Sequence, residues 1–156
     1  MAHLLSSDEF TRRKGRLLAQ ARGRVLELDT SLQGGDGRYD TVVTAYTLCG
    51  VTDIDRAIRR IDELLAPGGQ VLVLEHVRAT GVRGIVQDGA SVWWRRVPGG
   101  CHANRDPIAA FRRNGFAVVD CDRFRDRRSL PIVAPHISAV AVRKAQPPVK
   151  EEEVTE

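Results

Sequence analysis

The side chains that could do chemistry are most concentrated in residues 87–106. This stretch combines polar and aromatic groups in a region without helix or strand periodicity, as binding loops do: Gln87, Asp88, Trp93, Trp94, Cys101, His102, Asn104 and Arg105. An imidazole with an ordinary pKa near ~6.5 suits general base catalysis. We therefore predict a binding loop in which His102 could act as a general base. The alternative is that His102 and Asn104 satisfy loop backbone groups while the two tryptophans cover the core.

Cysteine and histidine spacing gives no second reactive site. The cysteines are odd in number, widely separated and without a CxxC pair: Cys49, Cys101 and Cys121. This pattern predicts neither a disulfide framework nor a zinc site, and it is typical of a reduced, cytoplasmic protein. Cys101 beside His102 does not suggest a nucleophile, because adjacent residues rarely form a productive pair. Glu75-His76 lies too far from His102 to indicate zinc, and His76 and His136 are expected to be buried and hydrogen-bonded.

The first half of the chain predicts the elements that would position such a site. A capping box at Ser6 and Glu9 opens a helix to about residue 21, and a short strand follows over 24–29. Residues 39–48 and 70–77 are apolar enough for buried parallel strands. Between them, an apolar stripe from Ile54 to Leu65 predicts a helix with a capping box at Thr52 and Asp55. Strand, helix and strand at this spacing form a βαβ unit.

The strand over 39–48 places a second candidate site at its end. Ala45, Tyr46 and Thr47 would lie at the carboxyl edge of the sheet, where doubly wound folds bind ligands. Tyr46 could reach a substrate with its hydroxyl or its ring. The alternative is that the three are ordinary strand-end residues.

The second half predicts one more helix and two strands. Asp106-Pro107 is an N-cap followed by proline at N1, and this helix ends at Asn114-Gly115. Strands are expected over 117–121 and 136–142. Residues 145–156 predict a disordered acidic tail.

Composition narrows the class of protein. The chain has 156 residues with 42% hydrophobic and 28% charged side chains, which favours one compact domain. It has no apolar run near the ~20 residues of a membrane span, and its first residues do not resemble a secretory signal. The net charge of +4 comes from scattered arginines with few aromatics between them, so a solvated basic surface is favoured over nucleic-acid binding.

The run YDTVVTAYTLCGVTDIDRAIRRIDELLAPGGQVLVLEHV resembles class I S-adenosylmethionine (SAM)-dependent methyltransferases. Asp40 opens what would be their fourth strand, and Pro67-Gly68-Gly69 leads into the fifth. The segments WWRRVPGGCHANRD, NGF and PHISAVAVRK are similar to the thiol- and ubiquinone-methyltransferase-like branch. The resemblance covers residues 39–144. It implies an α/β, truncated Rossmann-like sheet of about five strands, mostly parallel with an antiparallel last strand, and flanking helices.

The resemblance also assigns candidate residues. In the family, the segment matching Ala45, Tyr46 and Thr47 lines the methionine end of SAM, and the segment matching 87–106 covers the substrate pocket. This gives Tyr46 and His102 as catalytic candidates and SAM as the cofactor. The substrate-binding candidates are Asp88, Trp93, Trp94, Asn104 and Arg105. The acceptor implied is a small-molecule thiol or hydroxyl, and no metal is implied.

The glycine-rich cofactor loop of the family has no counterpart here. LLAQARGRVLEL is similar to the family's lead-in helix and first strand, with Glu27 at the acidic position. The next residues are Asp29-Thr30-Ser31-Leu32-Gln33, and strand four follows within about a dozen residues. This alignment implies an internal deletion of the second and third strands. In a second possible alignment, LELDTSLQGGDGRYD resembles the family's third strand and the loop after it, and Asp29 would neighbour the adenine of SAM. The run Gly34-Gly35-Asp36-Gly37 is no substitute, because it does not lie between a strand and a helix.

Two functions are consistent with this pattern. The first is a small-molecule methyltransferase whose incomplete cofactor site is completed by a neighbouring subunit. A sheet that lacks two strands exposes an edge, and a homodimer that pairs such edges would cover it. The second is a catalytically inactive binding or assembly protein that keeps the fold.

Overall fold

A five-stranded sheet organises the chain in the order β1-β2-β3-β5-β4. The computed structural model describes residues 8–145. The strands are β1 (Val25–Leu28), β2 (Tyr39–Ala45), β3 (Leu65–His76), β4 (Phe116–Arg125) and β5 (Pro135–Arg143). The helices are α1 (Asp8–Leu18), α2 (Ile54–Leu64), α3 (Gly81–Trp94) and α4 (Pro107–Arg113). The strands β1, β2 and β3 are parallel, and β5 is antiparallel to both of its neighbours. The predicted mostly parallel sheet with an antiparallel last strand is confirmed.

Helices cover both faces of the sheet. Alternate side chains of β2 and β3 point to opposite faces, as the two-residue period of a strand requires. Val42, Val71 and Val73 pack on the face that also carries Ile58 of α2 and Phe111 of α4. The opposite face holds a smaller cluster: Leu17 of α1 with Val43, Leu72, Leu74 and Val140. The result is a three-layer α/β domain with its main core under α2 and α4.

The predicted βαβ unit forms with adjusted boundaries. The predicted helix α2 is present, and its N-cap is Asp53, whose side chain accepts a hydrogen bond from the Arg56 amide. The predicted capping box of Thr52 and Asp55 is therefore wrong, because the N-cap is one residue later. The strand β2 ends at Ala45 rather than 48, because Tyr46 adopts a positive φ of 58° that turns the chain out of the sheet. The predicted N-cap at Ser6 lies outside the described residues, as does all but the first residue of the predicted tail.

The prediction that residues 87–106 lack helix and strand structure is wrong for residues 87–94. Helix α3 occupies Gly81–Trp94. Glycines at positions 81, 84 and 89 lower the helix propensity of this segment, so the sequence alone does not predict a helix there. At Gly84 an added Cβ would lie 2.3 Å from the Ala79 carbonyl oxygen, so close packing against the preceding turn requires glycine there. The last two strands, β4 and β5, are also longer than predicted.

The position of β1 in the sheet bears on the two alignments. In doubly wound sheets of order 3-2-1-4-5, the first strand neighbours the fourth and the third does not. Here β1 pairs directly with β2, Val25 with Thr41 through Leu28 with Thr44. This position fits the first strand of the family, which favours the internal deletion. The connection over residues 29–38 contains no helix.

Within residues 8–145, no helix is long and apolar enough to cross a membrane.

Candidate functional site

The carboxyl ends of β1, β2 and β3 converge on the segment that follows β2. Thr47 is buried, and its hydroxyl donates a hydrogen bond to the Leu28 carbonyl at the end of β1 (2.6 Å). Glu75, next to the last residue of β3, accepts backbone hydrogen bonds from Thr47, Leu48 and Cys49 at 3.0, 2.9 and 3.2 Å. Burial raises the pKa of Glu75 to about 7, against the lowering effect of these donors. One buried carboxyl group therefore shapes the whole turn after β2.

Tyr46 is the centre of an aromatic stack. Its ring lies 4.9 Å from Phe10 and 4.3 Å from His76, both stacked. Its hydroxyl is 2.8 Å from Nε2 of His136, whose Nδ1 lies 2.7 Å from the Ala134 carbonyl. Because Nδ1 must donate to that carbonyl, Nε2 accepts the tyrosine proton. Burial raises the pKa of Tyr46 and, with the charge of His76, lowers that of His136 to about 4. At neutral pH the pair is an uncharged hydrogen bond.

Backbone strain marks the same region. Within the described residues, the non-glycine residues with positive φ are Leu32 and Tyr46, each at 58°. A left-handed conformation costs a bulky side chain roughly 1–2 kcal/mol, and such residues cluster at functional sites. Tyr46 lies at the end of β2, and Leu32 lines a neighbouring cleft.

That cleft lies between the segments that follow β1 and β2. We call it the polar cleft; its volume is about 900 Å³ and its walls include Thr30, Ser31, Leu32, Gly50, Val51, Thr52, Asp53, Arg56, Arg59, Arg60 and Glu63. Arg60 pairs with Glu63 at 2.9 Å. Among residues 8–145, the side chains of Arg56 and Arg59 make no hydrogen bond or ion pair. The cleft therefore contains hydroxyls, carboxylates and two guanidinium groups that have no hydrogen-bond or ion-pair partner within residues 8–145.

Three side chains distant in sequence meet beside this cleft. We call Cys49, His76 and Cys101 the thiol–imidazole cluster; their ligand-type atoms all lie within 4.8 Å of one another. His76 Nδ1 is 3.6 Å from Cys49 Sγ and 3.3 Å from Cys101 Sγ. The hydrogen bond with Cys49, helped by His76, lowers the pKa of Cys101 to about 4. The same bond and burial raise the pKa of Cys49.

The cysteines are widely separated in sequence, but the structure brings two of them, Cys49 and Cys101, together, while the prediction that they form no zinc site stays a prediction. Loop 101–105 is fastened to the turn after β2 by hydrogen bonds. The His102 amide donates to the Cys49 carbonyl at 2.7 Å, and Arg105 donates to the carbonyls of Leu48 and Thr52, both at 2.7 Å. The sequence analysis considered Cys49, Glu75 and His76 but did not predict that they lie close together. A buried Glu-His pair closing an apolar strand was the available signal.

The remaining predicted substrate residues lie around α3. Asp88 forms an ion pair with Arg78 at 2.8 Å and accepts a hydrogen bond from Asn104 at 3.2 Å. The Arg78 guanidinium lowers the pKa of Asp88. Trp93 is 76% exposed, whereas the indole nitrogen of Trp94 is buried and has no hydrogen-bond partner among residues 8–145. Both tryptophans line an apolar pocket of about 640 Å³ with Val82, Val86, Val97, Leu130 and Ile132.

The predicted catalytic and cofactor residues occupy varied surroundings. His102 Nδ1 lies 3.3 Å from the Cys49 carbonyl, and burial with the charge of Arg105 lowers the pKa of His102. Ala45 is the last residue of β2. Glu27 is exposed and pairs with Lys14 at 2.8 Å. Asp29 accepts a hydrogen bond from the Ser31 amide at 2.9 Å. None of these residues lines the polar cleft, and their catalytic or cofactor roles stay predictions.

The fold is that of a Rossmann-like α/β domain, and SAM-dependent methyltransferases are among the solved structures that share it. N-methyltransferase NodS from Bradyrhizobium japonicum, in complex with S-adenosylhomocysteine, aligns with a TM-score of 0.64 at 14% identity, covering 91% of each chain. A SAM-dependent methyltransferase from Thermotoga maritima aligns with a TM-score of 0.61 at 12% identity, covering 87% of this chain and 89% of that one. At these identities the likeness concerns the fold.

Sequence similarity then gives the family. The profile of a methyltransferase domain family matches residues 7–121, so the chain belongs to that family. The thiol S-methyltransferase TMT1A of Homo sapiens is 30% identical over 122 residues, covering 71% of this chain and 46% of that protein. The ubiquinone/menaquinone biosynthesis C-methyltransferase UbiE of Hahella chejuensis is 44% identical over 45 residues, covering 29% and 18%. The chain spans about half the length of the thiol S-methyltransferases it matches.

Proposed function

We propose that this chain is a SAM-dependent methyltransferase domain whose acceptor is a small-molecule thiol. The observation that carries the proposal is the 30% identity to a thiol S-methyltransferase over 122 aligned residues, which cover 71% of this chain. Membership of the methyltransferase domain family and the polar cleft at the carboxyl ends of the parallel strands support it.

The residues of the polar cleft fit SAM by size and chemistry. A volume of about 900 Å³ lies within the ~300–1,000 Å³ range of ligand pockets. Arg56 and Arg59 suit the carboxylate of the methionine part, and the hydroxyls of Thr30 and Ser31 suit the ribose. Bound SAM would supply an electrophilic methyl group on a sulfonium sulfur. The chain would contribute orientation, which is the main source of rate in such a displacement.

The apolar pocket under α3 supports an acceptor with an apolar body. Its walls carry exposed apolar side chains, with Val82 76% and Val86 66% exposed. Gln87 also lines this pocket and donates a hydrogen bond to the carbonyl of Ala103, two residues after Cys101. An acceptor with its body in the pocket would therefore have its reactive end near the thiol–imidazole cluster.

A homodimer is also part of the proposal. The strand β1 ends the sheet, and Val25 on it is 45% exposed. Unpaired backbone groups on an edge strand favour pairing with a second copy. Sedimentation of the native chain as a monomer at tens of micromolar would contradict this part.

Calorimetric titration tests the central proposal. We expect one molecule each of SAM and S-adenosylhomocysteine to bind, and we expect SAM plus a small aryl thiol to yield the methyl thioether by mass spectrometry. Arg59→Ala should weaken binding by roughly tenfold, the ~1.4 kcal/mol of one exposed charge-assisted contact. Arg112→Ala, an exposed arginine on α4, is the matched control and should leave the affinity unchanged. No heat with either ligand up to millimolar concentration would refute cofactor binding by this chain and leave the inactive binding protein as the interpretation.

A further inference from the structure

The thiol–imidazole cluster has the geometry of a tetrahedral metal site. Zinc binds sulfur at ~2.3 Å and imidazole nitrogen at ~2.0–2.1 Å, so neighbouring N and S ligands of a tetrahedral ion lie roughly 3.5 Å apart. In the cluster the two N–S distances are 3.6 Å for Cys49 and 3.3 Å for Cys101. One ion could therefore contact all three atoms with little movement of the side chains.

The donor set selects the metal. Two thiolates and one imidazole form a soft set that suits zinc rather than magnesium or calcium. Glu75 lies next to His76 in sequence, but its carboxylate already accepts three backbone hydrogen bonds. Within residues 8–145, the group that could hold an ion contains three ligands and no fourth. Three protein ligands with one open position is the arrangement of catalytic zinc sites.

The surroundings hold each ligand in place. The Cys49 amide donates to Glu75, and its carbonyl accepts the His102 amide, which ties the Cys101 loop to it. The His76 ring is stacked on Tyr46 and lies edge-on to His136 at 4.8 Å. Such outer contacts orient metal ligands before the ion binds and add to affinity.

We propose that Cys49, His76 and Cys101 bind one zinc ion whose fourth position accepts a thiol from solution. The metal site stands on the cluster alone, whereas the thiol as its occupant rests on the proposed function. Coordination deprotonates a thiol, so its proton passes to solvent. The bound sulfur then forms a bond to the methyl carbon as the sulfonium–carbon bond of SAM breaks, and that electron pair stays on the SAM sulfur.

Cobalt titration of the full chain tests the metal site. The reduced, chelator-treated protein should bind one Co²⁺ with thiolate-to-cobalt charge-transfer absorption and tetrahedral visible bands, and one equivalent of Zn²⁺ should abolish both. Cys101→Ser and His76→Ala should each weaken binding by more than about 100-fold, the upper end of what losing an outer-shell partner costs. Cys121→Ser, on an exposed cysteine outside the cluster, is the control and should bind normally.

A second measurement avoids dependence on variants that fail to fold. In the native chain, Zn²⁺ should protect Cys101 but not Cys121 from alkylation, as read by peptide mass. Absence of the charge-transfer band, or its retention in both Cys101→Ser and His76→Ala, would overturn the metal site. So would equal alkylation of Cys101 with and without zinc.

The thiol has its own readout. Adding 2-mercaptoethanol to the cobalt form should increase the charge-transfer absorption by about half, because a third thiolate joins two. An unchanged spectrum at millimolar thiol would overturn the open thiol position. The outcomes separate from those of the proposed function: a cobalt site without SAM binding refutes only the methyltransferase, and methyl transfer without a cobalt site refutes only the metal.

Discussion

Gln87→Glu tests whether one buried amide holds the substrate side of the domain together. Gln87 lies in α3 and is only 4% exposed. Its Nε2 donates toward the carbonyls of Val77, Ala103 and Ile132 at 3.1, 3.0 and 2.8 Å, and its Oε1 accepts from the Ala79 amide at 2.7 Å. These contacts join the end of β3 to two loops. The glutamate keeps the shape and the bond from Ala79 but replaces the donor with an oxygen.

The expected loss follows from the two hydrogens of the amide. Each buried carbonyl left without a donor costs ~1–3 kcal/mol, and two donors are lost. The Ile132 carbonyl is only partly buried and can reach water, so we expect a total near ~3 kcal/mol at pH 8. The carbonyls and burial would raise the pKa of the new glutamate above its unfolded value of ~4.3. Its protonated form restores one donor. The destabilisation should therefore shrink as the pH falls toward 4.5 and grow as it rises.

Urea unfolding followed by tryptophan fluorescence measures this loss, because Trp93 and Trp94 lie on the same helix. With m near ~2 kcal/mol/M, the midpoint should fall by about 1.5 M. Gln33→Glu makes the same chemical change at an exposed residue and should shift stability by less than about 0.5 kcal/mol. A Gln87→Glu midpoint within about 0.3 M of the native chain at pH 8 would refute the reasoning.

Three further predictions concern the elements around the site. Gly84→Ala should lower the free energy of unfolding by ~1–3 kcal/mol because its Cβ meets a backbone oxygen at 2.3 Å, whereas Gly89→Ala on the same helix has open space and should raise it by ~0.5–1 kcal/mol; thermal melts that rank the two the other way would contradict this. His136 has a folded pKa of about 4, below its unfolded ~6.5, so it binds fewer protons when folded and stability is lost as pH falls through this window. With a chelator present, the free energy of unfolding of the native chain should rise by ~3 kcal/mol more than that of His136→Gln between pH 4 and 6.5. Parallel profiles of stability against pH for the two proteins would contradict this prediction. Arg105→Ala removes a guanidinium that bridges three carbonyls after β2 and should cost ~2–4 kcal/mol, with Arg105→Lys recovering part; equal urea midpoints for all three proteins would contradict it.

The central βαβ unit could be predicted because its signal is local. The stripe from Ile54 to Leu64 and the apolar run before His76 give helix and strand without reference to the rest of the chain. The alignment that equates residues 24–29 with the family's first strand is also consistent with the strand order, because β1 neighbours β2 in the sheet. Helix α3 could not be predicted, because its glycines lower helix propensity and their packing reasons exist only in three dimensions. The charged edge strand β4 extends to Arg125 because pairing with β5, not side-chain alternation, stabilises it.

The thiol–imidazole cluster depends on contacts between segments far apart in sequence. Cys49 and Cys101 approach each other because the His102 amide and the Arg105 guanidinium bond to carbonyls of the turn after β2. No spacing rule encodes such a contact, so cysteines that lack a CxxC pair can still share one site.

The polar cleft and the thiol–imidazole cluster share one segment of the chain, residues 49–50. Gly50 lines the polar cleft, and its neighbour Cys49 belongs to the cluster. Glu75 fixes the amides of this segment, and the positive φ of Tyr46 sets the direction in which it leaves β2. A methyl donor in the cleft and a thiol at the cluster would therefore be positioned by the same short turn. Under the proposed function, where orientation supplies much of the rate of a methyl displacement, changes at Glu75 or Tyr46 should lower turnover even though neither residue lines the cleft.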